Sequence, residues 1–203
     1  MGYLIVILAA YLMGCSNMAL YLSKIKKVDM RGGGSGNLGA SNATILLGWK
    51  AGILTAVHDI GKTALAVILA KLLFPGLEHI GAVAGVASVL GHIFPFYLKF
   101  KGGKGFASYL GMILALNWKF ALVIMALVVL VTVVTDYIVA GTTLTILVSP
   151  VYLGIASGSL LLAAILCIAT AVIIYKHRMN YVNIYKGREL GLRGAIRGDN
   201  RVK

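Results

Sequence analysis

A chain of 203 residues that is 60% hydrophobic and 12% charged, with a mean hydropathy of +0.92, carries far more apolar surface than one soluble core can bury, so a soluble fold is excluded. Its 19 Lys and Arg outnumber 6 Asp and Glu, for a formal net charge of +13. On a soluble protein that excess would point to nucleic acid, but no basic soluble face exists to carry such a module. Membrane topology and anionic lipid head groups explain the charge more simply.

Uncharged or nearly uncharged runs fall at about 3–22, 51–73, 80–98, 105–116, 118–135, 137–155 and 157–175. A membrane-crossing helix needs about 20 mostly apolar residues. The expectation is therefore an all-α integral membrane protein, one polytopic domain over residues 1–203, with about seven transmembrane helices. Five is the fallback, because the fourth run is short enough to be re-entrant or to merge with the fifth. The first run has no basic start and is followed by Lys24, Lys26 and Lys27. That predicts a retained first span with its N-terminus outside and, for an odd number of crossings, a cytoplasmic C-terminus. Sixteen of the 19 Lys and Arg then fall in three inside segments, 23–50, 99–105 and 176–203. Cys15 and Cys167 read as small buried hydrophobes. The end of the chain, 186–203, reads as a basic segment lying against anionic lipid.

The first inside segment contains Arg31-Gly-Gly-Gly34-Ser35-Gly36-Asn37-Leu38-Gly39-Ala40-Ser41-Asn42. Glycines permit positive φ and close approach, so successive N–H groups can form a concave nest for an anion, with Ser and Asn side chains adding hydrogen bonds. A helix beginning near Asn42 would aim its positive end at the same place. Gly34–Gly39 also spell G-x-G-x-x-G with Asp59 twenty residues on, and Ala56–Thr63 comes within one residue of a P-loop. Neither follows a strand, and both the acidic residue and the near-P-loop lie in an apolar run, so nucleotide binding is excluded.

The second segment, after Gly91-His92, reads Lys99-Phe-Lys101-Gly102-Gly103-Lys104-Gly105. Lysines between glycines at a membrane edge can meet phosphate as point charges, or serve only as topology anchors. The third begins Lys176-His177-Arg178-Met179-Asn180. His177 and Asn180 share a face on a continuing helix. His177 is the candidate general base, or else a capping or snorkelling histidine. Asp59 and Lys62, three apart inside an apolar run, either neutralise each other or brace the floor of a site. The six acidic residues are dispersed, which predicts no metal site.

Taken in order, the three segments resemble the motifs of the bacterial acyl-phosphate:glycerol-3-phosphate acyltransferase family, of the PlsY type. The resemblance spans nearly the whole chain: Gly34 to Asn42, Gly91-His92 to Gly105, and His177-Arg178-Met179-Asn180 with Glu189 downstream, plus the Asp59/Lys62 pair. Ser41 replaces the family's usual threonine and keeps the hydroxyl. Ile45 stands where an arginine is expected, removing a phosphate contact, and Asn183 where a basic residue often follows.

The resemblance implies a membrane acyltransferase that moves a fatty acyl group from acyl phosphate to the 1-hydroxyl of glycerol 3-phosphate, the first step of phospholipid synthesis. Lysophosphatidic acid and phosphate are the products. It implies Ser35, Lys104, His177 and Asn180 as catalytic residues. Arg31, Gly34, Gly36, Asn37, Gly39, Ser41, Asn42, Lys101, Gly102, Gly103, Arg178 and Glu189 would bind phosphate or substrate, with Asp59, Lys62 and His92 in support. No cofactor is required, because the acyl phosphate is already activated. The expected partners are the two substrates, membrane lipids and a soluble enzyme that makes the acyl phosphate. The expected place is the bacterial inner membrane, with the active site facing the cytoplasm. A transporter or channel for phosphate or a phosphorylated lipid, and a non-catalytic lipid-binding scaffold, are the competing readings.

Overall fold

The computed structural model describes residues 1–197, and positions 198–203, the end of the basic tail, lie outside the described residues. Every regular element among the described residues is a helix. It divides into two compact units, Met1–Trp118 and Lys119–Lys203. Among the described residues six helices are long and apolar enough to cross a membrane: Gly2–Lys26, Trp49–Leu73, Ile80–Leu98, Trp118–Thr135, Ile138–Ser157 and Leu160–Tyr185.

The first of these is broken. α1 (Gly2–Cys15) ends at Ser16, and α2 (Met18–Lys26) restarts after Asn17, whose side chain accepts from the Leu20 amide at 2.8 Å. In an unbroken helix that amide would bond the Ser16 carbonyl, four residues back. The Asn17 cap takes its place, so the Ser16 carbonyl is released for other partners. A short α3 (Ala40–Leu47) and the long α4 (Trp49–Leu73) follow, with Gly48 at φ 87 making the corner between them. α5 (Ile80–Ile93) ends before Pro95, and a 3-10 turn spans Phe96–Leu98.

The run expected as the fourth span folds as α6 (Phe106–Leu116), 11 residues. At 1.5 Å per residue α6 is about 16 Å long, roughly half a hydrocarbon core. The count of full-length helices is thus six where seven crossings were expected. The cause is local. Residues before α6 fold back on the end of α5, with the Gly102 and Gly103 amides donating to the Ile93 and His92 carbonyls at 3.0 and 3.1 Å. α6 then runs antiparallel to α5, setting Met112 against Gly85 and Leu116 beside Gly81, near the opposite end of α5.

Small residues let these helices meet backbone to backbone, which is the main source of helix packing where lipid removes the hydrophobic drive. A Cβ on Gly14 would strike the Ser88 carbonyl, one on Gly91 the Tyr11 carbonyl, and one on Gly111 the Ile60 carbonyl. The second unit holds α7 (Trp118–Thr135), α8 (Ile138–Ser157), α9 (Leu160–Tyr185) and α10 (Leu192–Arg197). α8 and α9 form a hairpin through Gly158 at φ 64 and the Ser159 cap, tied by Thr170 Oγ1 donating to the Ile146 carbonyl at 2.8 Å. Within this unit the chain after α9 returns to the α7–α8 corner, where the Leu192 and Arg193 amides donate to the Asp136 carbonyl and carboxylate at 2.7 and 2.8 Å.

The α1–α5 contact gives a direct test. Gly91→Val is expected to cost about 1–3 kcal/mol through overpacking and to lower the melting temperature of the detergent-solubilised protein. Gly61→Ala, where a Cβ meets nothing within 4 Å, should leave it nearly unchanged.

Candidate active site

The glycine-rich segment forms loop 1, between α2 and α3. Lys27 leaves α2 in the left-handed region at φ 54, and Gly34 and Gly36 adopt φ 57 and 67. A side chain at Gly34 would also collide with Asn42 Oδ1. The fully buried Asn42 organises the loop: Oδ1 accepts from the Ser35 amide at 2.8 Å, and Nδ2 donates to the Met30 carbonyl at 2.7 Å and the Gly33 carbonyl at 3.4 Å. Asn17, also buried, donates to the Leu38 carbonyl at 3.1 Å and hangs the loop from the break in the first span. Met30 and Leu38 plug its underside against Ala19 and Ala43.

What this leaves outward is polar and small. Ser35, Gly36 and Ser41 are exposed and Asn37 is half-buried. Gly39, the N-cap of α3, offers no side-chain acceptor to the first-turn amides, so an anion there would meet unsatisfied donors and the positive end of the helix. Ile45 lies half-buried on α3, where a methyl group comes within 3.5 Å of a Cβ placed on Gly34. No cation reaches loop 1 from this position.

Loop 2 is the fold-back before α6. Lys99 and Phe100 both take left-handed φ, 54 and 58. The turn is closed by the Phe100 amide on the Pro95 carbonyl at 3.1 Å and by the two glycine bonds to α5. A Cβ on Gly102 would strike the His92 carbonyl, and one on Gly103 the His92 ring at Nε2. Both glycines are therefore required by close approach. Loops 1 and 2 meet: Arg31 Nη2 donates to the Lys101 carbonyl at 2.9 Å. The first unit thus brings Arg31 to Lys101, with Gly102, Gly103 and Lys104 following along the same loop.

Beneath loop 2 lies a buried polar cluster. Lys62 Nζ donates to Asp59 Oδ1 at 2.8 Å and to the Ser16 carbonyl at 2.5 Å, and stands 2.9 Å from His92 Nδ1. His58 contacts both Asp59 Oδ1, at 3.3 Å, and Ser16 Oγ, at 3.0 Å. Tyr97 and Tyr11 donate to the Cys15 and Phe94 carbonyls at 2.6 and 2.7 Å. Asp59 and Lys62 form an ion pair, and His92 lies against it. Ser16, Asn17, His58 and Tyr97 were missed from sequence. The one available signal was a Ser-Asn pair interrupting an otherwise apolar first run.

The second unit holds the third motif, on the last turns of α9. His177 is buried, and its Nδ1 is 2.9 Å from the Ile173 carbonyl. A carbonyl only accepts, so the neutral ring carries its proton on Nδ1 and Nε2 is the acceptor. Asn180 Nδ2 donates to Glu189 Oε1 at 2.5 Å, which commits this glutamate to holding the amide. Arg178 is exposed, folded over the Tyr175 ring at 4.1 Å and bonded to its carbonyl. Among the described residues no three His, Cys, Asp or Glu side chains are placed to hold a metal ion.

A family model described as glycerol-3-phosphate acyltransferase matches residues 4–187. "Glycerol-3-phosphate acyltransferase 1" of Oceanobacillus iheyensis is 34% identical over 203 residues, covering 95% of this chain and 96% of that protein. The glycerol-3-phosphate acyltransferase of Pseudomonas putida is 38% identical over 186 residues, covering 90% and 95%. Two solved structures of PlsY, described as an integral membrane glycerol 3-phosphate acyltransferase, superpose with 31% identity. The glycerol 3-phosphate form has a TM-score of 0.88 and covers 95% of this chain and 96% of that one. The lysophosphatidic acid form has a TM-score of 0.85 and covers 94% and 95%.

Proposed function

The chain belongs to the glycerol-3-phosphate acyltransferase family, and on that premise we propose that it transfers a fatty acyl group from acyl phosphate to the 1-hydroxyl of glycerol 3-phosphate. The observation that carries this reading is loop 1. A rigid turn with Ser35, Gly36 and Ser41 outward, joined to a lysine-bearing loop by Arg31, suits a phosphate at the edge of an apolar bundle. The relatives compared are named as acyltransferases, and nothing in the geometry favours a transporter.

In the proposed reaction the hydroxyl oxygen of glycerol 3-phosphate bonds to the acyl carbon while the bond from that carbon to the phosphate oxygen breaks. Phosphate leaves with the electron pair. Ser35, the neighbouring amides of loop 1 and Lys104 hold the donor phosphate and offset its growing charge. Asn42 acts one step back, by fixing the Ser35 amide. His177 presents Nε2 as an acceptor for the substrate hydroxyl, and Asn180, held by Glu189, positions the acceptor. The hydroxyl proton passes to a substrate phosphate, whose second pKa of about 6 suits it to the task, or to His177 itself. We favour the phosphate, because the activated donor needs little help. Neither metal nor cofactor has a part in this scheme, and a soluble enzyme would supply the acyl phosphate.

Phosphate release by the purified protein tests the donor. Acyl phosphate with glycerol 3-phosphate should turn over, and acyl-CoA should not, since the described residues form no aqueous domain to hold a nucleotide handle. Comparable rates with acyl-CoA would defeat the reading.

Losing a general base typically costs about 10²–10⁴-fold in rate. His177→Ala is expected to lose most activity and His177→Gln to keep a measurable part of it, because glutamine accepts a hydrogen bond but takes no proton at neutral pH. If glutamine is as inactive as alanine while acceptor binding stays normal, the ring is the base after all.

We also place the N-terminus outside the cytoplasmic membrane and both loops and the tail inside, with α6 as a seventh, short crossing. Its support is that α6 leaves loop 2 and ends beside Gly81, near the opposite end of α5. The positive-inside distribution of Lys and Arg agrees. Single-cysteine labelling of intact cells should modify position 119 and spare position 190, and the reverse pattern would overturn the topology.

A further inference from the structure

His92 is the buried group for which the proposed reaction has no role. The ring is 3% exposed, and its two nitrogens meet different surroundings. Nδ1 faces Lys62 Nζ at 2.9 Å, with Asp59 Oδ1 farther off at 3.5 Å. An ammonium has three protons and no acceptor. Lys62 aims one at Asp59 and one at the Ser16 carbonyl, so the third falls to Nδ1. Nδ1 must then be a lone pair, because two facing donors 2.9 Å apart would repel. The cluster closes electrically with one carboxylate, one ammonium and a neutral ring, the cheapest state for a buried site. Its consequence is that the ring proton sits on Nε2.

Nε2 has no protein partner among the described residues, and the residue packed over it is Gly103, where any side chain would collide with it. An Nε2–H without a protein acceptor, set under a loop built from glycine and lysine, is available to an anion held at that loop. We propose that His92 is a further substrate-binding residue, whose Nε2–H, locked by the Lys62–Asp59 pair, is a donor to a phosphate oxygen held at loop 2. The phosphate is that of the acyl donor or of glycerol 3-phosphate; the two share this chemistry. The assignment rests on the proposed function for the identity of its ligand, but not for the donor itself.

Two substitutions separate donor from scaffold. Asparagine at 92 can keep an acceptor for Lys62 but lacks the Nε2 donor, whereas glutamine can place an amide N–H near it. In the full-length protein, His92→Asn is expected to raise KM about tenfold or more for one of the two substrates. That substrate identifies the phosphate, and the unliganded melting temperature should stay near wild type. His92→Gln should stay within about threefold of wild type. Inorganic phosphate should raise the melting temperature of the wild type and of His92→Gln, and not of His92→Asn. Unchanged KM values with an intact phosphate response in His92→Asn overturn the proposal. So do parallel losses of activity and stability in both variants, which would mark the ring as scaffold alone. If neither variant folds, ¹⁵N-histidine spectra of the wild type decide it. The expected ring has Nδ1 bare and Nε2 protonated, with an Nε2 signal that moves on adding inorganic phosphate; the opposite tautomer, or no movement, rejects the assignment. A wild type that responds to phosphate yet transfers no acyl group refutes the function while leaving the phosphate comparison to judge His92.

Discussion

One ammonium holds the first unit in register. Lys62 sits where a bare charge would be prohibitive, and its three donors reach a carboxylate on its own helix, a carbonyl at the break in the first span and a ring on α5. Removing one partner from such a buried ion pair costs about 3–5 kcal/mol, because the remaining charge is left uncompensated. The break at Ser16–Asn17 is therefore part of the same construction. Without the Asn17 side chain taking the Leu20 amide, the Ser16 carbonyl would belong to the helix and Lys62 would lose an acceptor.

The loops inherit their shape from this anchor. Asn17 caps the second half of the first span with Oδ1 and holds loop 1 through the Leu38 carbonyl with Nδ2. His92 faces Lys62 on one side and supports the glycines of loop 2 on the other. Arg31 then joins the two loops at their outer edge. The polar groups that would meet substrate are mobile in principle, being short side chains and backbone amides on loops. They are held in practice by buried amides and a neutralised ion pair.

Much of this was readable from the chain. Apolar run lengths gave the helices, since a span's length and its absence of charge are set by the bilayer and not by partners. The glycine-serine-asparagine segment announced a loop that meets an anion. What stayed hidden was the division of labour among residues of similar chemistry. Nothing in the spelling of the first motif separates Asn42, buried with its amide committed to the loop, from Asn37 or Ser35, which face outward. Nor does the spelling of the third motif pair Glu189 with Asn180, nine positions back along a chain that has left its helix. The run at 105–116 could be called short but not explained, because its length depends on loop 2 folding back over His92, a tertiary event without a local signature. Ser16 and Asn17 were legible only as an oddity, because the bonds that tie them into the site, to Leu38, His58 and Lys62, reach residues more than twenty positions away.

The shortness of α6 has a bearing on where an insoluble substrate and a soluble one can meet. If α6, at about 16 Å, makes the proposed crossing, the loop from which it starts must lie sunk below the head groups. A long-chain donor in the proposed reaction would need only to slide sideways within its own leaflet, its reactive carbon staying near the depth it already occupies. The water-soluble acceptor makes the journey instead, descending a short way past the head groups. Hauling an acyl chain up into water would cost about 0.8 kcal/mol for every methylene exposed, so a sunken floor spares the enzyme a barrier that would grow with every carbon of the tail.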